Sequence, residues 1–273
     1  MTHPQLQRLL PLVIDVVENA GRLLSAEWDR PDGPRGQGDK AVIDAEIEIE
    51  LRANLIGLLN CDFWGEETGY VLSGDAWCWV VDPNDGTSDF LKNIKGSAIA
   101  VGLLHYNVPV LGVVHAPITD HGSPDTVAWA SGCSHLLRNG IAIVMDLSTQ
   151  VLSQQSWVMV SAAAVNKPQI NQQLCEPASF HPMPSIAYRL ARVAAGDGIC
   201  GVSLYPVSAH DVVAGHALLI GANGVLVDES GAGIEYKVAA GMLRVSTRCF
   251  GGAPQACAEL VSREWGKVFD AEY

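Results

Sequence analysis

The run Trp77-Cys78-Trp79-Val80-Val81-Asp82-Pro83-Asn84-Asp85-Gly86-Thr87 changes character once, at Asp82. The apolar residues before it predict a short buried strand, Trp77–Val81. The residues from Asp82 onward read as a turn at a sheet edge: two carboxylates three residues apart, a proline that stiffens the chain between them, then Gly86 and Thr87. Hard cations take oxygen ligands, and such a turn can aim the Asp82 and Asp85 side chains and the Asn84 carbonyl at one point. Ser88-Asp89-Phe90-Leu91-Lys92 predicts a first helical turn, whose N–H groups would meet a phosphate oxygen beside that point. An ordinary Asx turn capping a helix has the same spacing, and this stretch alone leaves both readings open.

Working upstream, Trp64-Gly65-Glu66-Glu67-Thr68-Gly69 places paired acids between glycines. That is either a solvated turn or a source of one more metal-binding carboxylate, Glu66. Asp44–Leu51 alternates like a strand, but Leu55, Leu58, Leu59 and several strong helix formers favour a helix. Pro31–Gly38 reads as a loop. Leu6, Leu9, Leu10, Val13, Val16, Val17, Ala20, Leu23 and Leu24 predict an amphipathic first helix, in which Pro11 marks the true start or a kink.

Downstream, residues 97–119 carry no Asp, Glu, Lys or Arg. His105, Asn107, Pro109, His115 and Pro117 interrupt the run, so it predicts two buried strands, Ala98–Leu104 and Val110–Val114, rather than a membrane span. Further strands are expected at Thr126–Ala130, Trp157–Ser161 and Leu243–Ser246. Helices are expected at Ile186–Ala195, at Val212–Ala222 and from Pro254 to about Trp265. Asp211, at the start of the second of these, is a plain N-cap or a ligand. Ala214, Gly215 and Ala217 let that helix approach a sheet closely. The class is α+β, or mixed α/β, with halves 1–147 and 148–273.

Acidic residues outnumber basic ones by 30 to 17 in the 273-residue chain, for a net charge of -13. That field repels nucleic-acid polymers and anionic membranes. A phosphate substrate would need a positive receptor, which carboxylate-held metal supplies. The seven cysteines are odd in number and none has C-x-x-C spacing, which predicts reduced core thiols in a cytoplasmic protein. No basic segment followed by an apolar run opens the chain, so no signal peptide is expected. A nicotinamide enzyme is disfavoured because no G-x-G-x-x-G joins a strand to a helix.

Gly65-Glu66-Glu67, then Asp82-Pro83-Asn84-Asp85-Gly86-Thr87, then Asp211 with Ala214-Gly215 resembles the inositol monophosphatase superfamily. That group includes the 3'(2'),5'-bisphosphate nucleotidases and fructose-1,6-bisphosphatases. The resemblance implies a layered αβαβα sandwich and a Mg2+-dependent phosphatase, commonly dimeric and lithium-sensitive, that attacks a phosphate monoester with metal-activated water. It implies that Glu66, Asp82, Asn84, Asp85 and Asp211 hold two or three Mg2+ ions. Thr87, with Asp44 behind it, would position the water near Glu66, while Gly86, Thr87 and Ser88 would bind phosphate. Two departures stand out. The family usually has Trp before the last aspartate, where this chain has His210, and it often has a Lys before the Asp44 helix, where Arg35 and Lys40 lie. The stretch before Asp211 lacks the acid that inositol monophosphatases often use on sugar hydroxyls. Leu204-Tyr205-Pro206, Arg189 and Ala214-Gly215-His216-Ala217 look similar to the nucleotidases. Arg189, Tyr205 and His210 are thus candidate substrate contacts. The expected substrate is an inositol or sugar phosphate, with a nucleotide bisphosphate as the alternative and a non-catalytic metabolite-binding protein as a remote one.

Overall fold

The computed structural model describes residues 1–237 and 242–270. Helix α1 (His3–Trp28) is followed by a small hairpin, β1 (Gly36–Gln37) and β2 (Lys40–Ala41), and by α2 (Val42–Leu58). Then come β3 (Asp62–Gly65), β4 (Tyr70–Val71), β5 (Trp77–Asp85), the single turn α3 (Thr87–Phe90), β6 (Ala98–His105), β7 (Val108–Ala116), β8 (Asp125–Ala130), β9 (Leu136–Arg138) and β10 (Ile141–Ile143). The rest is β11 (Trp157–Ser161), α4 (Pro168–Cys175), β12 (Ser179–Met183), α5 (Ile186–Ala194), β13 (Cys200–Ser203), α6 (Ala209–Gly221), β14 (Val225–Asp228), β15 (Cys249–Gly252) and α7 (Pro254–Val261).

Among the described residues, eight strands form one sheet in the order β10-β9-β8-β7-β6-β5-β3-β4. Only β3 and β5 run parallel in it. Five strands form a second sheet, β12-β11-β13-β15-β14, with β11 parallel to both β12 and β13. Helices α1 and α2 cover one face of the large sheet, packing on Trp79, Val81, Ile99, Val101 and Val113. Helices α5 and α6 fill the space between the sheets, against Val80, Ala98, Ala100 and Val114 on one side and Val158, Cys200 and Phe250 on the other. Helix α7 lies beyond the small sheet, with Ala256, Cys257 and Leu260 in the same core. The layers are therefore α-β-α-β-α, as expected.

Both faces of β6 and β7 are covered, which is why residues 98–116 read as a continuous apolar run rather than an alternating one. No helix among the described residues is long and apolar enough to cross a membrane. The two strands turn at Tyr106 and Asn107, both at positive φ. In α2, Ile43, Ile47, Leu51 and Leu55 recur every fourth residue and are buried, while Ile49 is 61% exposed. The strand-like alternation was a coincidence of composition, and the helical period decides burial.

Several boundaries differ from expectation. Pro11 lies inside α1, which starts at His3. The strand at residue 77 does not stop before Asp82 but continues through Asp85. Residues 243–246 form no strand, only a bridge from Ser246 to Val207; the strand comes later, at β15. The last helix ends at Val261, and a separate 3-10 turn spans Trp265–Phe269. Within the expected loop, Gly36–Gln37 pairs with Lys40–Ala41.

Candidate metal centre and active site

In a regular strand, Asp82 and Asp85 would face opposite sides, because side chains alternate with a period of two. The ladder instead pairs Asp82 with Ala100 and Asp85 with Ala98, so two residues, Pro83 and Asn84, stand opposite Ile99 alone. This one-residue bulge turns both carboxylates to the same side. That side is set by Val80, which packs towards α5 and α6 while Trp79 and Val81 pack towards α1 and α2. The sequence reading placed a turn here; a bulge within β5 does the aiming.

Helix α6 brings the distant acid. It begins at Ala209 rather than Val212, so Asp211 is its third residue, not its N-cap. Asp211 Oδ2 accepts from the Ser208 backbone N–H, the reach-back arm of a capping box. One donor atom each from Asp82, Asp85 and Asp211 lie within 4.8 Å of one another, and the same holds for Glu66, Asp82 and His210. Residues up to 145 positions apart in sequence thus share one cluster.

Two glycines allow α6 to come so close. Gly102 and Gly112 are directly paired in β6 and β7. A Cβ on Gly102 would lie 2.5 Å from Val213 Cγ1, and one on Gly112 would run into the Ala214 carbonyl. Of the small residues noted in α6, Ala214 and Ala217 face the sheet, whereas Gly215 accommodates Leu190 of α5.

Helix α2 supports the site from the other side. Asp44, its third residue, accepts from the Asn84 side-chain amide at 3.0 Å and from the Thr87 hydroxyl at 3.0 Å. The Thr87 hydroxyl also lies 2.8 Å from the Asn84 carbonyl. One turn on, Glu48 is fully buried and accepts from the N–H groups of Glu67 (2.8 Å) and Thr68 (2.6 Å) and from the Thr68 hydroxyl. Glu48 therefore pins the loop that presents Glu66, and a Cβ on Gly65 would collide with its carboxylate. Asp85 is held by Ser185 Oγ (2.6 Å) and the Ala187 N–H (2.6 Å) at the start of α5. Sequence reading missed Glu48 and Ser185. The available signals were two acids four apart on α2 and a Ser before an apolar helix.

Burial dominates the electrostatics. Asp82 is 1% exposed, and desolvation, then the charges of Glu66, Asp85 and Asp211, push its carboxyl far above the usual range. Burial also raises Asp85 and Asp211 to about 6 each, partly offset at Asp85 by its Ser185 and Ala187 hydrogen bonds and at Asp211 by its bond from Ser208. Glu66 rises to about 8 by burial and by Asp211, Glu67 and Asp85. Its side chain is 36% exposed, so solvent screens part of that effect. Burial holds Asp44 at about 6 and lowers His210 to about 4, leaving the imidazole neutral at neutral pH.

Of the other expected site residues, Gly86, Thr87 and Arg189 adjoin this cluster, whereas Tyr205 lines a cavity to which none of the four acids contributes. Gly86 sits at φ +98, a conformation that suits glycine, and its Cβ position is 3.2 Å from Ser185 N. Thr87 and Ser88 open α3, so their N–H groups have no intrahelical partner. That helix is a single turn, so those N–H groups rather than a macrodipole are what it offers an anion. The Ser88 hydroxyl accepts from Lys92 at 2.9 Å. Arg189 is buried, donating to the carbonyls of Pro184 (3.0 Å), Ser185 (3.2 Å) and Val202, and its charge acts to lower both Asp85 and Asp211. Tyr205 is 56% exposed and meets Phe269 edge-on at 5.6 Å beside a cavity of about 310 Å³. Arg35 is committed to Glu27 at 2.7 Å, and the charge of Lys40 reaches Glu67.

The donor set fits divalent cations. Four clustered carboxylates at least partly withdrawn from water are unfavourable unless a positive charge joins them. Two buried side-chain atoms in this region, Asn84 Oδ1 and His210 Nδ1, have no hydrogen-bond partner.

Residues 10–263 match the model of the inositol monophosphatase family. The chain is 30% identical over 242 residues to inositol monophosphatase 2 of Solanum lycopersicum, covering 83% of this chain and 89% of that protein. It is 33% identical over 139 residues to a Mycobacterium tuberculosis protein named "Probable inositol 1-monophosphatase ImpA", a match that spans only half of that protein's length. The structure of the Thermotoga maritima inositol monophosphatase TM1415 superposes with a TM-score of 0.73 at 20% identity, covering 93% of this chain and 95% of that one. The ordered acids, their convergence at the bulged end of β5 and these matches together mean that the chain belongs to the inositol monophosphatase family.

Proposed function

We propose that this chain is a Mg2+-dependent phosphatase that hydrolyses a small phosphate monoester, an inositol or sugar phosphate, at the Glu66–Asp82–Asp85–Asp211 cluster. The observation that carries this is the convergence of Asp82 and Asp85 from a bulged strand with Asp211 from a helix 126 residues later. In this reading the half up to residue 147 carries Glu66, Asp82, Asn84, Asp85 and the phosphate-binding backbone, and the half from 148 brings Asp211 and substrate contacts.

Glu66, Asp82, Asp85, Asp211 and the Asn84 carbonyl would hold two or three Mg2+ ions, which would supply positive charge to the phosphoryl oxygens and lower the pKa of a water so that it can attack after losing a proton. The chain's own residues do the rest. The N–H groups of Gly86, Thr87 and Ser88 bind the phosphate. The Thr87 hydroxyl, fixed between Asp44 and the Asn84 carbonyl, orients the water. Phosphoryl transfer proceeds through a loose transition state, so this positioning and charge stabilisation supply most of the rate. His210 and Tyr205 serve as substrate contacts, while Arg189, buried and bonded to backbone carbonyls, acts through the charges of Asp85 and Asp211.

A nucleotide bisphosphate is the second reading. The cavity beside Tyr205 and Phe269 favours it, because it offers an apolar wall and an aromatic edge to a flat base. The use of Arg189 Nε and Nη1 on backbone carbonyls counts against it, since those donors are not offered to a second phosphate. A cytoplasmic homodimer, with neither nucleic acid nor membrane as partner, completes the proposal; the charge of -13 supports the last two points, and sedimentation would check the dimer. The deciding experiment is phosphate release from a panel of inositol, sugar and 3'-nucleotide phosphates with Mg2+, with and without Li+. Turnover of the first two classes, inhibited by Li+, supports the proposal. Turnover of the nucleotides alone supports the second reading. Metal binding without any turnover would leave a non-catalytic binding protein.

A further inference from the structure

His210 stands next to Asp211 in the first turn of α6, and its ring is nearly enclosed, at 12% exposed. Its Nε2 lies 3.6 Å from Asp211 Oδ1 and 3.9 Å from Glu66 Oε1. Those separations are too long for hydrogen bonds. The Glu66 separation suits two donors of one cation: bonds near 2.1 Å put neighbouring donors about 3.0 Å apart and opposite donors about 4.2 Å apart. One donor atom each of Glu66, Asp82 and His210 already lie within 4.8 Å of one another. The other nitrogen, Nδ1, is buried and has no partner.

We propose that His210 is itself a cation ligand: Nε2, with the Glu66 and Asp82 carboxylates, forms a mixed nitrogen–oxygen position that selects a first-row transition cation over Mg2+. This rests on the carboxylate cluster being a cation site. Asp82 belongs to both groups of three, so the cluster holds two adjoining positions with different chemistry. Asp82, Asp85 and Asp211 offer oxygen alone, which suits Mg2+. The other position adds imidazole, which binds first-row transition metals better than it binds Mg2+.

The test is Mn2+ binding to the full-length protein, followed by electron paramagnetic resonance, with Mg2+ as competitor. The expected result is electron spin echo modulation from an imidazole 14N and one Mn2+ that excess Mg2+ displaces poorly. His210→Phe should abolish the modulation and weaken that Mn2+ by about tenfold or more, leaving the oxygen-only position filled. Measuring the wild-type echo first makes the test independent of how the variant folds. Bound Mn2+ without nitrogen modulation, or unchanged competition in His210→Phe, overturns the assignment of His210 while leaving the cation site intact. If neither cation binds at all, the carboxylate reading falls, and this one with it.

Discussion

Ser185 Oγ lies 2.6 Å from Asp85 Oδ2, joining residues one hundred positions apart. The same hydroxyl oxygen accepts from the Tyr188 N–H at 2.9 Å and so caps α5. One side chain therefore starts a core helix and fixes the direction of a candidate metal ligand. Ser185→Ala should cost about 1 kcal/mol of stability through the lost cap. It should also weaken cation binding by about tenfold to a hundredfold through the loosened carboxylate. Urea unfolding in EDTA reads the first, and calorimetric titration with Mg2+ reads the second. A stability loss with unchanged cation affinity would reduce Ser185 to a cap alone.

Glu48 does for Glu66 what Ser185 does for Asp85. Its carboxylate collects the two N–H groups and one hydroxyl of the Glu67–Thr68 turn in a fully buried place. Glu48→Gln keeps the size but sets an NH2 group against donors. The expected loss is about 2 kcal/mol of stability and a raised Mg2+ requirement for phosphate release, with kcat at saturating metal less affected than the apparent metal affinity. An unchanged Mg2+ dependence would show that the Glu66 loop holds its shape without Glu48.

Asp85→Asn is the sharpest test of the ligand set. It keeps the shape and the Ser185 contact but removes the charge that the cluster presents to cations. Phosphate release should fall to background while the circular dichroism spectrum and unfolding midpoint in EDTA stay at or above those of the wild type. Full activity in this variant would mean that Asp85 is not a ligand.

The legible part of this site was its order along the chain: Glu66, then Asp82 and Asp85, then Asp211. The hidden part depends on three-dimensional packing. The bulge at Pro83 and Asn84 is invisible without the partner strand, because only the pairing with Ala98 and Ala100 shows the extra residue. Glu48 stayed hidden although its segment read as a helix, because the Glu67 and Thr68 N–H groups that define its role meet it only in the fold. Residues 243–246 look like a strand by composition, yet tertiary context gives them a single bridge and moves the strand to Cys249–Gly252. β-propensity is weak evidence where neighbours decide.

The Gly102–Gly112 pair sets how near α6, and hence Asp211, comes to β5. In Gly112→Ala the new methyl would strike the Ala214 carbonyl and Ala217 Cβ, and backbone cannot swing aside as a side chain can. The expected cost is about 3 kcal/mol, with a loss of cation affinity because the helix must lift its first turn. Gly57→Ala, on α2 with nothing near the added atom, is the control and should be neutral or slightly stabilising. Equal behaviour of the two variants in thermal unfolding would show that the sheet and α6 are not in the contact described.

The raised carboxyls make a prediction about pH. Glu66, Asp82, Asp85 and Asp211 all have folded pKa values above those they would have unfolded. Below about pH 4 these groups are protonated in both states and impose no penalty. As pH rises towards about 8, the unfolded chain ionises them freely, while the folded chain must either hold protons or bring together buried negative charges. Unfolding then releases protons, so without metal the protein loses stability across this window. The opposite slope belongs to Asp62, Asp125 and Asp197, whose folded pKa values are lowered by hydrogen bonds from Ser73 and its neighbours, from Arg138 and Tyr188, and from Arg138 and Arg192. Their contribution is present above about pH 4 and is lost only on further acidification. Melting temperatures in EDTA should therefore pass through a maximum near pH 5 and decline towards pH 8.5. A saturating divalent cation should raise the curve most at its alkaline end, because it binds the ionised cluster and only in the folded state. A flat profile between pH 5 and 8.5 in EDTA, or a cation effect independent of pH, would mean that these four acids are not drawn together in solution as they are here.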